Sequence, residues 1–302
     1  MLNWLACPFS YEDFKAQIAQ ILRQYTHPTR LNSLLVQAEE RLTKSDHAAA
    51  AAMFAEALTL KDTSARALVG IARVHHATGD QAAAKASLKR ATDVNPDYIE
   101  SYRLSLEIAE SESDRAAIIQ SASILNSLSP ENPRYMLILA RTYLELSHLE
   151  ASEKFFRKAI LLSPRMAEAY KGLGNVYLAK EDYDRAMRNF KKALDLDESD
   201  ISTLNSLGTA YIRLGQYKEG IERYLVALKL NPHNAAVLFN LGHAYEKRRD
   251  LEKSKWYYAQ ALIHKAGFEK AARGLERVEK AVRDGETSAP LTPPPTILKR
   301  SS

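Results

Sequence analysis

A pattern of apolar and small residues returns every 34 positions along most of this 302-residue chain. The clearest copies read Tyr170-x-x-Leu173-Gly174-x-x-Tyr177, Leu204-x-x-Leu207-Gly208-x-x-Tyr211 and Leu238-x-x-Leu241-Gly242-x-x-Tyr245. The same frame runs back through less complete copies, so that seven units without an insertion cover residues 31–268. A fixed period of this length predicts a stack of one structural motif, because a single small motif cannot bury its apolar face alone.

Each 34-residue unit contains two amphipathic stretches with the period of an α-helix. Counted from residue 31, positions 8 and 27 of the unit are small in six of the seven copies. Small side chains there let two helices approach closely, while Leu, Tyr and Phe fill the space beside them. Asn-Pro or Ser-Pro pairs end four of the second helices, since a residue before proline avoids the α conformation. Gly79 and Gly215 mark the turn within a unit. The pattern predicts an all-α chain of paired helices.

These residues resemble the tetratricopeptide repeat (TPR) family, whose pattern is W-x-x-L-G-x-x-Y, then A-x-x-x-F, then P. Ala186-x-x-x-Phe190 and Pro232 supply the later parts of that pattern. The resemblance covers residues 31–268 and implies a right-handed superhelical solenoid of seven helix-turn-helix repeats with helical caps. It also implies a non-catalytic protein–protein interaction scaffold with a concave groove lined by the first helices.

The third unit departs from the pattern. Ser105 and Ala109 stand where other copies carry large residues, and Leu106 and Leu125 stand where other copies are small. Two explanations remain open at this stage. Either the packing is inverted with its total volume roughly kept, or the helices slip in register within the 34-residue total.

Both ends of the chain lie outside the repeat. Residues 269–284 predict a capping helix with a polar outer face. Residues 285–302, which include Pro293-Pro294-Pro295, predict a disordered Pro-rich tail. Residues 1–30 predict an N-terminal segment with one helix, which Ser10 and Asp13 would begin.

The N-terminal segment around Cys7-Pro8-Phe9-Ser10 resembles the end of a bacterial response-regulator receiver domain, with Cys7 in place of the family's lysine. This resemblance, over residues 2 to 25, implies a truncated response regulator whose output module is the repeat array; a plain helix packed on the first repeat is the alternative.

Leu5-Ala6-Cys7 also resembles a lipobox, but the six preceding residues carry no basic residue and are too few for a signal peptide. We therefore expect a cytoplasmic signalling protein. The alternative is a TPR lipoprotein or cochaperone-like factor that assists assembly of an envelope or pilus complex.

The residues that line the groove of such an array occupy a few fixed positions of the first helices. The candidate partner-binding residues are Arg66, Arg73, Arg103, Arg134, Arg141, Lys171, Asn175, Asn205, Arg213, Phe239 and His243. Clustered cations favour carboxylates, and Asn side chains can pair with the amide groups of a peptide. The groove is thus predicted to bind a protein or peptide partner, and its cations favour an acidic one. The alternative is a merely solvated helix face.

Other classes of function are disfavoured by the sequence. A net charge of +5 with interspersed signs argues against nucleic acid, and the apolar stretches are too short to cross a membrane. One cysteine excludes a disulfide framework and a Cys-based zinc site, while His75 and His76 point about 100° apart on a helix. No nucleophile–base–orienter set emerges. We expect no enzyme activity, no cofactor and no metal.

Lys171-x-x-x-Asn175 resembles the first half of the carboxylate clamp by which some TPR cochaperones hold an acidic C-terminus. Ser206, Ala236 and Asn240 depart from the remaining three positions. A clamp for a chaperone tail is therefore not expected.

Overall fold

The computed structural model describes residues 29–285 and, before them, Lys15 alone; these residues form fifteen α-helices and no strand. The all-α prediction is confirmed. In chain order the helices are α1 Arg30–Thr43, α2 His47–Leu60, α3 Ala65–Ala77, α4 Gln81–Val94, α5 Ile99–Glu112, α6 Arg115–Leu128, α7 Pro133–Glu145, α8 Leu149–Leu162, α9 Ala167–Ala179, α10 Tyr183–Leu196, α11 Ile201–Arg213, α12 Tyr217–Leu230, α13 Ala235–Lys247, α14 Leu251–His264 and α15 Glu269–Arg283. The first fourteen alternate as seven pairs, which fits the 34-residue period. The receiver-like segment, the lipobox and the Pro-rich tail lie outside the described residues.

The turn between the two helices of a pair is built in the same way in all seven pairs. The residue at position 15 has a positive φ in every pair, namely Ser45 (59°), Gly79 (87°), Ser113 (58°), Ser147 (59°), Glu181 (60°), Gly215 (77°) and Arg249 (62°). The next residue then donates its N–H to the carbonyl at position 11, as Asp182 does to Tyr177 at 2.9 Å. The Asp182 side chain in turn accepts a hydrogen bond from the backbone N–H of Arg185 at 3.0 Å and so caps α10.

The third pair keeps this register. Its helices begin at residues 99 and 115, the same unit positions as in the pairs on either side, and Asp114 N–H bonds the carbonyl of Ala109 at 2.9 Å. The explanation by helix slip is therefore wrong. The packing is inverted instead, since Leu106, Ala122 and Leu125 are all buried at the positions where large and small residues have been exchanged.

Buried aromatic rings of the second helices pack directly against glycines of the first helices. Phe156 of α8 is fully buried, and a Cβ added to Gly172 of α9 would lie 2.2 Å from its ring. Phe190 of α10 faces Gly174 of α9 in the same manner, at 2.5 Å. The packing of Phe190 on Gly174 explains the small residue at position 8 of that pair, whereas Gly172 stands at position 6.

The chain divides after Pro130 into two compact units. We call residues 29–130 the N-terminal unit and residues 131–285 the C-terminal unit. Within each unit the first helices of adjacent pairs contact each other, whereas the second helices of adjacent pairs do not. The first helices therefore form the inner face of each unit and the second helices form its outer face.

Candidate functional site

All eleven candidate groove residues lie on first helices, as the sequence predicts, but they divide between the two units. Arg66, Arg73 and Arg103 lie on α3 and α5 of the N-terminal unit. The other eight lie on α7, α9, α11 and α13 of the C-terminal unit.

The three arginines of the N-terminal unit have carboxylate partners. Arg66 donates two hydrogen bonds to Glu39 of α1, at 2.9 and 2.7 Å, and this interaction raises the pKa of Arg66. Arg73 and Arg103 both bond Glu100 of α5, at 3.0 and 2.8 Å. These ion pairs lower the positive charge that this inner face offers to a ligand.

Two cations of the C-terminal unit are paired in a similar way. Arg141 of α7 bonds Glu168 of α9 at 3.1 Å, and Lys171 of α9 lies 3.1 Å from Asp200, the N-cap of α11. The remaining cations on this face, Arg134, Arg213 and Lys247, are exposed, and no ion pair joins them to any part of the chain that the structure describes. The unpaired positive charge on α7, α11 and α13 therefore comes from these three residues and not from Lys171.

A group of amide side chains occupies the middle of this inner face. Asn240 of α13 donates a hydrogen bond to Asn205 of α11, from Nδ2 to Oδ1, at 2.8 Å. The Nδ2 of Asn205 and the Oδ1 of Asn240 have no hydrogen-bond partner among residues 29–285, nor does the side chain of Asn175 on α9. A free amide donor next to a free amide acceptor matches what a peptide group offers.

Two further residues complete this surface. Thr209 donates to the carbonyl of Asn205 at 3.0 Å and shares a 2.9 Å hydrogen bond with the hydroxyl of Tyr224. Burial lowers the pKa of His243. The nearby charges of Lys247 and Arg213 lower this pKa further, whereas the carboxylate of Glu246 raises it. His243 is therefore neutral at pH 7. We call Asn175, Asn205, Thr209, Asn240 and His243 the amide face.

The structure changes the standing of one residue inside the candidate set and of one outside it. Phe239 packs its ring 5.7 Å from that of Tyr258 and 5.3 Å from that of Phe268, so it belongs mainly to the core of the C-terminal unit. Asn240, which sequence reasoning left out of the groove, pairs with Asn205. Its position in the repeat could have identified it, because this position lies beside that of Asn205 on the adjacent first helix.

Metal-binding clusters and membrane-spanning helices are absent from the part of the chain that the structure describes. No group of three His, Cys, Asp or Glu side chains within 29–285 is arranged to hold a metal ion. His76 instead places Nδ1 2.9 Å from Oε1 of Gln81. None of the helices in this range is long and apolar enough to cross a membrane.

Comparison with known families agrees with the repeat architecture. Family models described as tetratricopeptide repeat match residues 41–106, 133–166, 167–200 and 235–262, and one described as TPR repeat matches residues 208–248. No curated protein matches the sequence.

Similar solved structures share the fold at low sequence identity. They include the APC/C hetero-tetramer Cut9–Hcn1, with a TM-score of 0.58 and 15% identity over 90% of this chain and 49% of that chain. A tetratricopeptide repeat protein from Parabacteroides merdae gives a TM-score of 0.56 and 13% identity over 83% of this chain and 99% of that one. A MamA RS-1 ArsTM double mutant gives 0.52 and 17% over 55% and 93%. This chain thus spans about half the length of its match in the Cut9–Hcn1 structure.

Proposed function

Taking as premise that this chain is a tetratricopeptide repeat protein, we propose that it is a non-catalytic scaffold that holds an extended partner segment on its amide face. The TPR fold itself suggests a protein–protein interaction scaffold. The observation that carries the finer proposal is the half-satisfied pair of Asn205 and Asn240. Each keeps a hydrogen-bonding group for a ligand, and a bound peptide group would satisfy both.

The spacing of the helices suits an extended segment. Packed helices lie about 8–10 Å apart, and an extended chain advances about 3.3 Å per residue. Asn175 on α9 and the Asn205–Asn240 pair on α11 and α13 would therefore meet peptide groups about three residues apart.

The charge of the flanking residues supports an acidic partner segment. Arg213 and Lys247 are the last residues of α11 and α13. Both are exposed and lie at one edge of the amide face. Lys171 is held by Asp200, so a ligand carboxylate would have to displace that residue. We therefore assign the acidic residues of the partner to Arg213 and Lys247.

The test is to select binders to the full chain from a displayed library of random peptides, and to measure their affinity by fluorescence anisotropy. Asn205→Ala and Asn240→Ala should each weaken the selected peptide about fivefold, as expected for a hydrogen bond of ~1 kcal/mol. Asn189→Ala is the matched control, because Asn189 lies on outer helix α10 and bonds the Arg185 carbonyl. Equal losses in the control, or none at Asn205 and Asn240, would refute the proposal.

The wider role proposed here is that of an output module in a cytoplasmic, response-regulator-like signalling protein. Only the resemblance of residues 2 to 25 supports it. The alternative role is assistance in envelope or pilus assembly, either as a lipoprotein, which requires lipid on Cys7, or as a cochaperone-like factor. Mass spectrometry of the protein from its natural source separates the signalling role from the lipoprotein, because the signalling role predicts an unmodified Cys7.

A further inference from the structure

A pocket of about 290 Å³ opens on the outer face of the N-terminal unit, between α4 and α6 and over α5. Leu88, Ile108, Ala109 and Ile124 form its apolar wall. Polar groups line the opposite side, and they include the ion pair of Lys85 with Glu112 at 2.6 Å. The pocket lies on the side away from the inner face and is independent of the amide face.

The corresponding groove of the C-terminal unit shows why this space is open. Between α8 and α10, over α9, the same repeat positions line a groove into which Leu173 and Tyr177 project. In the third pair these two positions are Ser105 and Ala109. The pocket is therefore the place that a leucine and a tyrosine fill elsewhere in the same chain.

The charged groups around the tyrosine hydroxyl of the C-terminal unit have counterparts at the pocket. The hydroxyl of Tyr177 donates to Glu153 and accepts from Arg157, each at 2.7 Å, and Glu153 is paired with Lys180 at 2.8 Å. Lys85 and Glu112 occupy the positions of Glu153 and Lys180, with the two charges exchanged. A phenol hydroxyl in the pocket would thus again have one acceptor and one donor within reach.

A cation stands at the position from which a lysine of another pair faces a tyrosine ring. The Nζ of Lys191 lies 5.5 Å from the centre of the Tyr211 ring. Lys89, which lines the pocket, is the equivalent of Lys191 in the second pair. It is exposed and forms no ion pair within the described part of the chain, so its charge is available to an aromatic ring.

We propose that this pocket binds a tyrosine side chain from a segment of a partner protein. The chain itself shows the fit, because its own tyrosine occupies the equivalent space of the C-terminal unit. The free charge of Lys89 at the rim favours a segment in which acidic residues flank the tyrosine. The ring would pack on Leu88 and Ile108, and its hydroxyl would bond the pair of Lys85 and Glu112.

The first experiment is an NMR titration of the isotope-labelled full chain with N-acetyl-tyrosinamide. Saturable shifts are expected at backbone amides of α4, α5 and α6, with a millimolar Kd. N-acetyl-phenylalaninamide should bind at least threefold more weakly because it lacks the hydroxyl, and N-acetyl-leucinamide at least tenfold more weakly. The absence of saturable shifts in these helices, or equal binding of the leucine amide, would overturn the proposal.

Variants then locate the site. Lys89→Met should weaken binding at least threefold, whereas Lys191→Met should leave it unchanged because Tyr211 already fills that place. Equal losses would count against the pocket. Ser105→Leu with Ala109→Tyr should abolish binding, and retained binding would overturn the assignment; should that variant fail to fold, the Lys89→Met comparison decides.

A peptide probe tests the claim that the tyrosine comes from a protein. Acetyl-Gly-Asp-Tyr-Asp-Gly-amide should bind more tightly than N-acetyl-tyrosinamide, and Lys89→Met should reduce this advantage. Equal affinities of the two probes would overturn the assignment to a protein segment and would indicate a site for free aromatic molecules.

Discussion

Replacing Gly172 by alanine tests the close packing between the two helices of adjacent pairs. An added Cβ would lie 2.2 Å from Cε1 and Cζ of Phe156, more than 1 Å inside the ordinary contact distance of about 3.5 Å. Phe156 is fully buried, so its ring has no solvent-exposed space into which it can turn. Overpacking of this kind costs about 1–3 kcal/mol, and we take the upper value of about 3 because the overlap is large.

A second effect acts in the opposite direction. Alanine is favoured over glycine inside a helix by about 1 kcal/mol, and Gly172 lies in the middle of α9. The net expectation for Gly172→Ala is therefore a destabilisation of about 2 kcal/mol, which lowers the melting temperature of a unit of this size by about 4–8 °C.

Urea unfolding of the full chain, followed by circular dichroism at 222 nm, measures this loss. Phe156→Leu removes part of the ring that the new Cβ meets. The double variant should therefore be less destabilised than the sum of the two single variants, by at least about 1 kcal/mol. If Gly172→Ala raises the unfolding midpoint, helix propensity alone decides the outcome and the packing argument is refuted.

Two further predictions concern stability. Glu181 adopts a φ of 60° in the turn before α10, so Glu181→Gly should stabilise the chain by about 0.5–1 kcal/mol. Gly215→Ala in the equivalent turn should destabilise the chain by a similar amount. The urea midpoints of both variants check these expectations. Burial alone would raise the pKa of Glu153, but hydrogen bonds from Lys180 and Tyr177 hold this pKa at about 2, below the usual 4.5. Stability from Glu153 is therefore complete above pH 4.5 and is lost as the pH falls towards 2. Glu153→Gln should flatten this part of the pH profile of the unfolding midpoint, and an unchanged profile would contradict the assignment.

The helices were predictable because their determinants are local and periodic. Small residues at position 8 and the Asn-Pro and Ser-Pro pairs give the period and the ends of helices directly. The left-handed turns at Ser45, Glu181 and Arg249 were not predictable, since these residue types do not require a positive φ. Only the 34-residue phase relates them to Gly79 and Gly215, where glycine makes the turn visible.

The site was predictable in position but not in charge. Sequence reasoning placed every candidate on a first helix, yet it treated Arg66, Arg73 and Arg141 as free cations. Each is bound by a carboxylate 27 residues away, which is the separation between position 9 of one pair and position 2 of the next. Aligning opposite charges at these two positions would have found the pairs. Their strength still depends on side-chain geometry that the sequence does not contain.

The pocket over α5 can act only as an anchor, as its energetics indicate. Burying a tyrosine side chain of about 150–250 Å² contributes about 4–6 kcal/mol at about 25 cal/mol per Å². A hydrogen bond and a cation–π contact add about 1 kcal/mol each, while association costs at least about 4 kcal/mol. The remaining 2–4 kcal/mol, roughly, corresponds to millimolar affinity or weaker. Any tighter complex must therefore use the residues that flank the tyrosine, and Lys89 is placed to bind them.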